Sequence, residues 1–198
     1  MALDIYVGSL TRYYLQDWET GGARVAREMG ASYETVRPGP QPTDDAPQAP
    51  YFTDRPAWEG YAGVLLLAAH TECPELPRPE VPTSQWDGDA AYQKVAAQGF
   101  PSRFPQIYDV QLWLPCRFSF KFKSQDVSGA EVWIGSSLRL LDELTLLDAE
   151  TFRVGFGAAF ENSEVANTFD KSARFGLEMF LRCARFAAEH RLPMKLDY

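Results

Sequence analysis

The chain is poor in the side chains most often used for acid–base relays and metal sites. Its 198 residues hold two histidines, His70 and His190, and three cysteines, Cys73, Cys116 and Cys183. An odd number of well-separated cysteines makes no disulfide framework; three reduced thiols are expected, the state of a cytoplasmic protein. Long apolar runs are also missing. The longest, Val64–Ala69, is far short of the roughly 20 residues a membrane helix needs. The first residues carry no basic stretch ahead of an apolar one, so no secretory signal is expected. Basic residues are outnumbered, 19 against 27, for a net charge of −8. That balance excludes the basic surface that nonspecific nucleic-acid binding requires. Catalytic signatures are lacking too: there is no phosphate-binding G-x-x-x-x-G-K-[ST], no H-E-x-x-H, no C-x-x-C and no G-x-S-x-G. Gly155-Phe156-Gly157 lacks the third glycine of a dinucleotide turn.

What is present is enough for a folded core. With 45% hydrophobic and 14% aromatic residues, the chain reads as one α+β domain over 1–198, without repeats at a solenoid period. Its acidity is uneven: residues 1–110 hold 8 Lys/Arg against 15 Asp/Glu, and residues 111–198 hold 11 against 12. Six of the 14 prolines lie between Pro38 and Pro56 and four between Pro74 and Pro82. Proline fixes φ and removes a donor, so 37–57 and 73–85 are expected as extended surface loops, either mobile insertions or lids.

Periodicity supplies the elements. Leu3, Ile5 and Val7 alternate with Asp4 and Tyr6 as a strand. Asp17–Met29 is a helix candidate, weakened by Gly21-Gly22 at about 1 kcal/mol per glycine. Tyr61–Ala69 reads as a strand buried on both faces, and Asp89–Gln98 as a short helix ended by Gly99 and Pro101. Period-two alternation at Val110–Leu114, Phe118–Phe122 and Val132–Ile134 points to a mainly antiparallel sheet, with a meander over about 109–135 and helices packed on it. Ser136-Ser137 offers an N-cap for a helix to about Asp148. A last helix from about Asn167 to His190 carries Leu177, Phe180, Leu181, Ala184 and Ala187 at spacings of three and four, and Pro193 stops it.

Three constellations bear chemistry. His70-Thr71-Glu72-Cys73 has ligand types but lacks the paired spacing of a zinc site; no metal and no cofactor is expected. Trp86-Asp87-Gly88-Asp89 lacks the further donors of a calcium loop and reads as a turn capping the next helix. The densest set is Asp4, Tyr6, Arg12, Tyr13, Tyr14, Asp17 and Trp18. Asp4 and Tyr6 share one strand face, and a half-buried Asp4 needs a partner, with Arg12 nearest in sequence. The set is either a ligand pocket at a strand end or a structural Asp–Arg pair covered by tyrosines.

The opening Leu3-Asp4-Ile5-Tyr6-Val7-Gly8-Ser9-Leu10-Thr11-Arg12-Tyr13-Tyr14 resembles the start of an uncharacterised bacterial protein family. The Ile134-Gly135-Ser136-Ser137-Leu138 stretch belongs to the same pattern. This resemblance implies a bacterial, non-secreted protein and brings no catalytic residue with it.

A second surface follows from the meander, whose non-core face would carry Trp113, Arg117, Lys121 and Trp133. It is either a second small core or, uncovered, an interaction surface of aromatics beside cations. The function expected is non-catalytic recognition of a protein or small ligand, possible partners being a basic protein, steered by the acidic first 110 residues, or a second copy of the chain, but not nucleic acid or membrane. The alternative is a small hydrolase or transferase with Asp4 as general base and Arg12 holding an anionic substrate.

Overall fold

Alternation between Asp4 and Val7 produces β1 (Asp4–Val7), in which Ile5 and Val7 are wholly buried, as is Leu3 just ahead of it. It belongs to a computed structural model that describes residues 3–10, 13, 50–82, 85–97, 99–126, 129–153 and 168–198. The helix expected over 17–29 and residues 37–49 of the first proline-rich loop lie outside the described residues. The remaining elements are β2 (Phe52–Asp54), α1 (Ala57–Glu72), a 3₁₀ turn (Trp86–Gly88) and α2 (Ala90–Ala96), then β3 (Leu112–Leu114), β4 (Phe122–Gln125) and β5 (Glu131–Ser136). The chain continues with α3 (Ser137–Glu150), α4 (Phe169–His190) and β6 (Met194–Asp197). The fold is α+β in one domain. Among the described residues, no helix is long and apolar enough to cross a membrane.

The six strands form one sheet in the order β2-β1-β6-β3-β5-β4. It is mainly antiparallel, as expected, but the strands of 109–135 do not follow one another as a simple meander. β5 lies between β3 and β4, parallel to the first and antiparallel to the second. The stretch expected to alternate through Phe118–Phe122 yields a strand only from Phe122 onward. Pro115 supplies no donor to continue β3. Phe118 folds into a small core, and Phe120 is half exposed. Of the loops expected, 73–82 is without helix or strand, whereas β2 and the first residue of α1 fall within 37–57.

Residues directly opposite in register point to the same side. Thr53, Tyr6, Lys195, Leu112, Ile134 and Phe122 run across all six strands on the outer face. Phe52, Val7, Met194, Trp113 and Gly135 form the row on the inner face. The helices cover the inner face, where Ile5, Val7, Trp113, Met194 and Leu196 join the main core. The outer face carries a second core of Leu10, Leu112, Leu114, Phe118, Val132 and Ile134.

The apolar run Tyr61–Ala69 lies inside α1 rather than a strand. Every residue from Gly60 to His70 is buried, and a helix covered all round has no polar stripe to betray its period. Leucine and alanine, strong helix formers, dominate it. α1 crosses α4 at backbone contact: a methyl at Gly176 would lie 2.0 Å from the Gly60 carbonyl oxygen, and one at Gly63 only 2.7 Å from the Ala173 Cα.

One buried side chain ties the sheet to α3. Gln106, wholly buried, accepts from the Ser136 N–H at 2.7 Å and donates through Nε2 to the Phe120 carbonyl at 3.2 Å. Its own carbonyl accepts from Trp113 Nε1 at 2.9 Å. A Cβ at Gly135 would stand 2.3 Å from Gln106 Oε1, which is why glycine precedes the two serines. Ser136 Oγ caps α3 by accepting from the Arg139 N–H and donates to the Cys116 carbonyl, while Ser137 Oγ donates to the Leu114 carbonyl.

The helix crossing is directly testable. Gly176→Ala should lower the unfolding free energy by about 1–3 kcal/mol, the usual cost of overpacking. Gly88→Ala, where an added Cβ meets nothing within 4 Å, should stay within about 0.5 kcal/mol of the parent. Urea unfolding of the two variants reads the difference.

Candidate functional site

β1 sets Asp4 on the outer face near the sheet's edge, next to β2. Both its carboxylate oxygens are taken by Arg55, Oδ1 by Nε at 2.5 Å and Oδ2 by Nη2 at 3.0 Å. Arg55, not Arg12, is therefore its observed partner; Arg12 lies outside the described residues, as do Tyr14, Asp17 and Trp18. The hydrogen bonds from Arg55 hold Asp4 below the usual carboxylate range. A carboxylate engaged at both oxygens and acidified in this way is a poor proton acceptor at neutral pH, so the geometry lends no support to Asp4 as a general base.

Tyr6 and Tyr13 do come together, with ring centroids 5.1 Å apart. The Tyr6 hydroxyl donates to the Ser9 carbonyl at 3.0 Å, closing the turn after β1. A Cβ at Gly8 would meet that hydroxyl at 2.5 Å. The Tyr13 hydroxyl donates to the Asp197 carboxylate. Burial first, and then that carboxylate, push the Tyr13 phenol well above its ordinary value. Lys195 stands beside Tyr6 in register, its amine 5.3 Å from the Tyr13 ring centre and 3.8 Å from Asp126 Oδ2. The Lys195 and Asp126 side chains are 13% and 4% exposed. Arg55, Asp126, Lys195 and Asp197 were not legible as partners of this cluster. The one signal for β6 is the short alternation of Met194 and Leu196 with Lys195 and Asp197 after Pro193. With its groups bonded to one another, the cluster carries the marks of a structural network.

The second predicted surface divides. Trp113 is wholly buried on the inner face against Phe180, with ring centroids 6.3 Å apart, so it contributes to no surface. The face expected as peripheral is the one the helices cover. Arg117 pairs with Asp142 at 2.6 Å. Lys121 and Trp133 do meet, the Lys121 amine 5.1 Å and the Lys123 amine 5.3 Å from the indole centre. Lys121 also donates to the Tyr108 carbonyl at 2.9 Å and faces Asp109 Oδ2 at 3.3 Å.

An open groove of about 300 Å³ lies elsewhere, between α1 and the segment leading to α2. Leu66, Pro79, Val81, Trp86, Gly88 and Asp89 line it. Asp89 Oδ1 caps α2 by accepting from the Ala91 and Tyr92 N–H groups, and its Oδ2 faces His70 Nε2 at 3.3 Å. The Trp86 ring stacks on Trp58 at 5.8 Å and 14°, while Tyr198 meets Trp58 edge-on at 5.5 Å. Glu80 and Asp87, each flanked by lining residues, and Glu59 beside Trp58 take part in no ion pair among the described residues. Trp86-Asp87-Gly88-Asp89 thus forms the helix cap read from the sequence and also one wall of the groove.

The residues of His70-Thr71-Glu72-Cys73 point to separate partners. Glu72 accepts from Ser102 Oγ, the Arg103 N–H and the Tyr108 hydroxyl. Cys73 is buried. No group of three or more His, Cys, Asp or Glu side chains able to hold a metal ion occurs among the described residues. Close to Glu72 is the buried Glu143, which accepts from the Gln106 N–H at 2.8 Å through Oε2. Burial pushes its carboxyl up to about 8.

Comparison with known proteins gives no match: no family model, no curated protein and no solved structure is significantly similar to the chain.

Glu143 generates a pH prediction. Its folded-state value of about 8 exceeds the ordinary 4.5, so between these values the folded chain holds a proton that the unfolded chain releases. The Glu143 contribution is complete at low pH and is lost as pH rises toward 8, with a slope of at most about 1.4 kcal/mol per pH unit. Denaturant midpoints measured from pH 5 to 9 should fall for the parent, and Glu143→Gln should flatten that fall.

Proposed function

We propose that this chain is a non-catalytic binding protein of the bacterial cytoplasm whose partner is a basic protein. The observation that carries the reading is where its negative charge is left uncompensated. Many of its cations are held by its own acids, as in Arg55–Asp4, Lys94–Glu75, Arg103–Glu150, Arg117–Asp142 and Lys123–Glu131. Glu59, Glu80 and Asp87 stay outside those pairs and are neighbours in sequence of Trp58, of Pro79 and Val81, and of Trp86 and Gly88. Unneutralised carboxylates attract and orient a cationic partner before contact.

A catalytic reading has less support. The hydrolase or transferase alternative needs Asp4 as a proton acceptor, and Arg55 occupies both its oxygens. Self-association has little surface left from the sequence expectation. The apolar stripe of α4 is packed within the domain, and Trp113 lies in the core.

The test is association of the immobilised chain with a labelled nona-arginine peptide and with its glutamate counterpart. The arginine peptide should associate about tenfold more slowly at 200 mM than at 50 mM salt, as steered encounters do, and the glutamate peptide should not bind. Arginine-peptide association indifferent to salt would overturn the reading.

A further inference from the structure

We propose that Arg139 exchanges carboxylates, leaving Asp142 for Glu143 when Glu143 loses its proton to solvent. Two orphaned atoms on α3 carry the inference. Glu143 is buried, and its Oε1 has no hydrogen-bond partner, although Oε2 accepts from the Gln106 N–H at 2.8 Å. Arg139 Nε is buried and unpartnered in the same way. One atom is an acceptor and the other a donor. Four residues separate them, which places both side chains on one face of the helix. Helical side chains lean toward the N-terminus, so Glu143 reaches back over the turn that Arg139 occupies. Buried polar atoms nearly always find a partner, and here each orphan has its complement one turn away.

The present partner holds Arg139 loosely. Its Nη1 stands 3.6 Å from Asp142 Oδ2, beyond hydrogen-bond reach, and Arg117 already holds that same oxygen at 2.6 Å. The Arg139 and Asp142 side chains are 37% and 45% exposed, so water screens their attraction. Protonated Glu143 has no charge with which to compete. Burial, and with it the like charge of Glu72, keeps that proton in place up to about pH 8. Once it leaves, Oε1 is a charged acceptor in an interior where an unpaired charge is costly. Arg139 Nε is then an unspent donor of opposite charge on the same helix face. The other ionisable groups around Glu143 are otherwise engaged. Glu72 from α1 repels it and takes the Tyr108 hydroxyl, Arg103 is held by Glu150, and Arg185 from α4 faces α3 at Asp148. The exchange satisfies both orphans, limits what ionisation costs, and leaves Asp142 to Arg117. It also fixes Glu143 at both oxygens, and through Oε2 the Gln106 segment, whose carbonyl accepts from Trp113 Nε1.

The experiment is an NMR pH titration of the full ¹³C,¹⁵N-labelled chain, read at the Glu143 side-chain carboxyl carbon, the Arg139 Nε–H and the Trp113 indole N–H. The Glu143 carbon should move with a midpoint at about pH 8, and the Arg139 and Trp113 signals should move with the same midpoint. Glu143→Gln should hold the Arg139 and Trp113 signals still across that range. Arg139→Lys keeps the positive charge but has no Nε–H, and should raise the Glu143 midpoint by about one pH unit, the worth of one charge-assisted hydrogen bond. A Glu143 carboxyl that titrates while the Arg139 Nε–H stays fixed overturns the exchange and leaves the pH dependence of stability standing. An unchanged Glu143 midpoint in Arg139→Lys overturns it as well. If the Glu143 carboxyl does not titrate between pH 6 and 10, the exchange and that pH dependence fall together.

Discussion

The close crossing of α1 and α4 is the constraint on which the rest of the structure depends. Gly60 and Gly63 on one helix face Ala173 and Gly176 on the other at backbone distance. That proximity seats α1 deep in the core, buried from Gly60 to His70. It also lays α4 over the inner face of the sheet, where Phe180 meets both Trp113 and Tyr61. The position of α1 then determines the groove: Leu66 is part of its wall, and Trp58 and Tyr61 at its N-terminal end support Trp86. Any side chain that forced the two helices apart would move the floor and one wall of the groove together.

The polar interior follows a consistent rule, in that buried groups join elements distant in sequence. Gln106 links the loop before β3 to Ser136, Phe120 and Trp113. Glu72 gathers Ser102, Arg103 and Tyr108. On the outer face, Lys195, Asp126, Tyr13 and Asp197 draw together three strand ends. Such networks specify one arrangement because an unpaired member is costly in a low-dielectric setting.

Much of the fold was legible because local rules governed it. Ser136 and Asp89 cap helices through their side-chain oxygens, α4 shows its stripe, and β1 shows its alternation. Other features depended on tertiary context. A helix buried on all sides and a doubly buried strand share the same unbroken apolar text, so Tyr61–Ala69 misled. β6 is four residues long and half charged, which concealed both the strand and the ion pair of Lys195. The partner of Asp4 lay 51 residues away at Arg55, and sequence proximity offered Arg12 in its place. The groove drew its lining from three segments that the sequence offered separately, as a buried strand, an extended loop and a helix cap, with nothing to join them. The Gly135-Ser136-Ser137 run, conspicuous in the sequence, proves to be a joint between Gln106 and α3.

The place of β6 in the sheet has a consequence for how the molecule is assembled. Among the described strands, β6 alone is hydrogen-bonded to both the β2-β1 pair and the β3-β5-β4 trio, to β1 on one side and β3 on the other. During synthesis, the sheet stays in two unjoined pieces until residues 194–197 have left the ribosome. A protease that cuts ahead of Met194 removes the keystone and exposes two raw sheet edges at once.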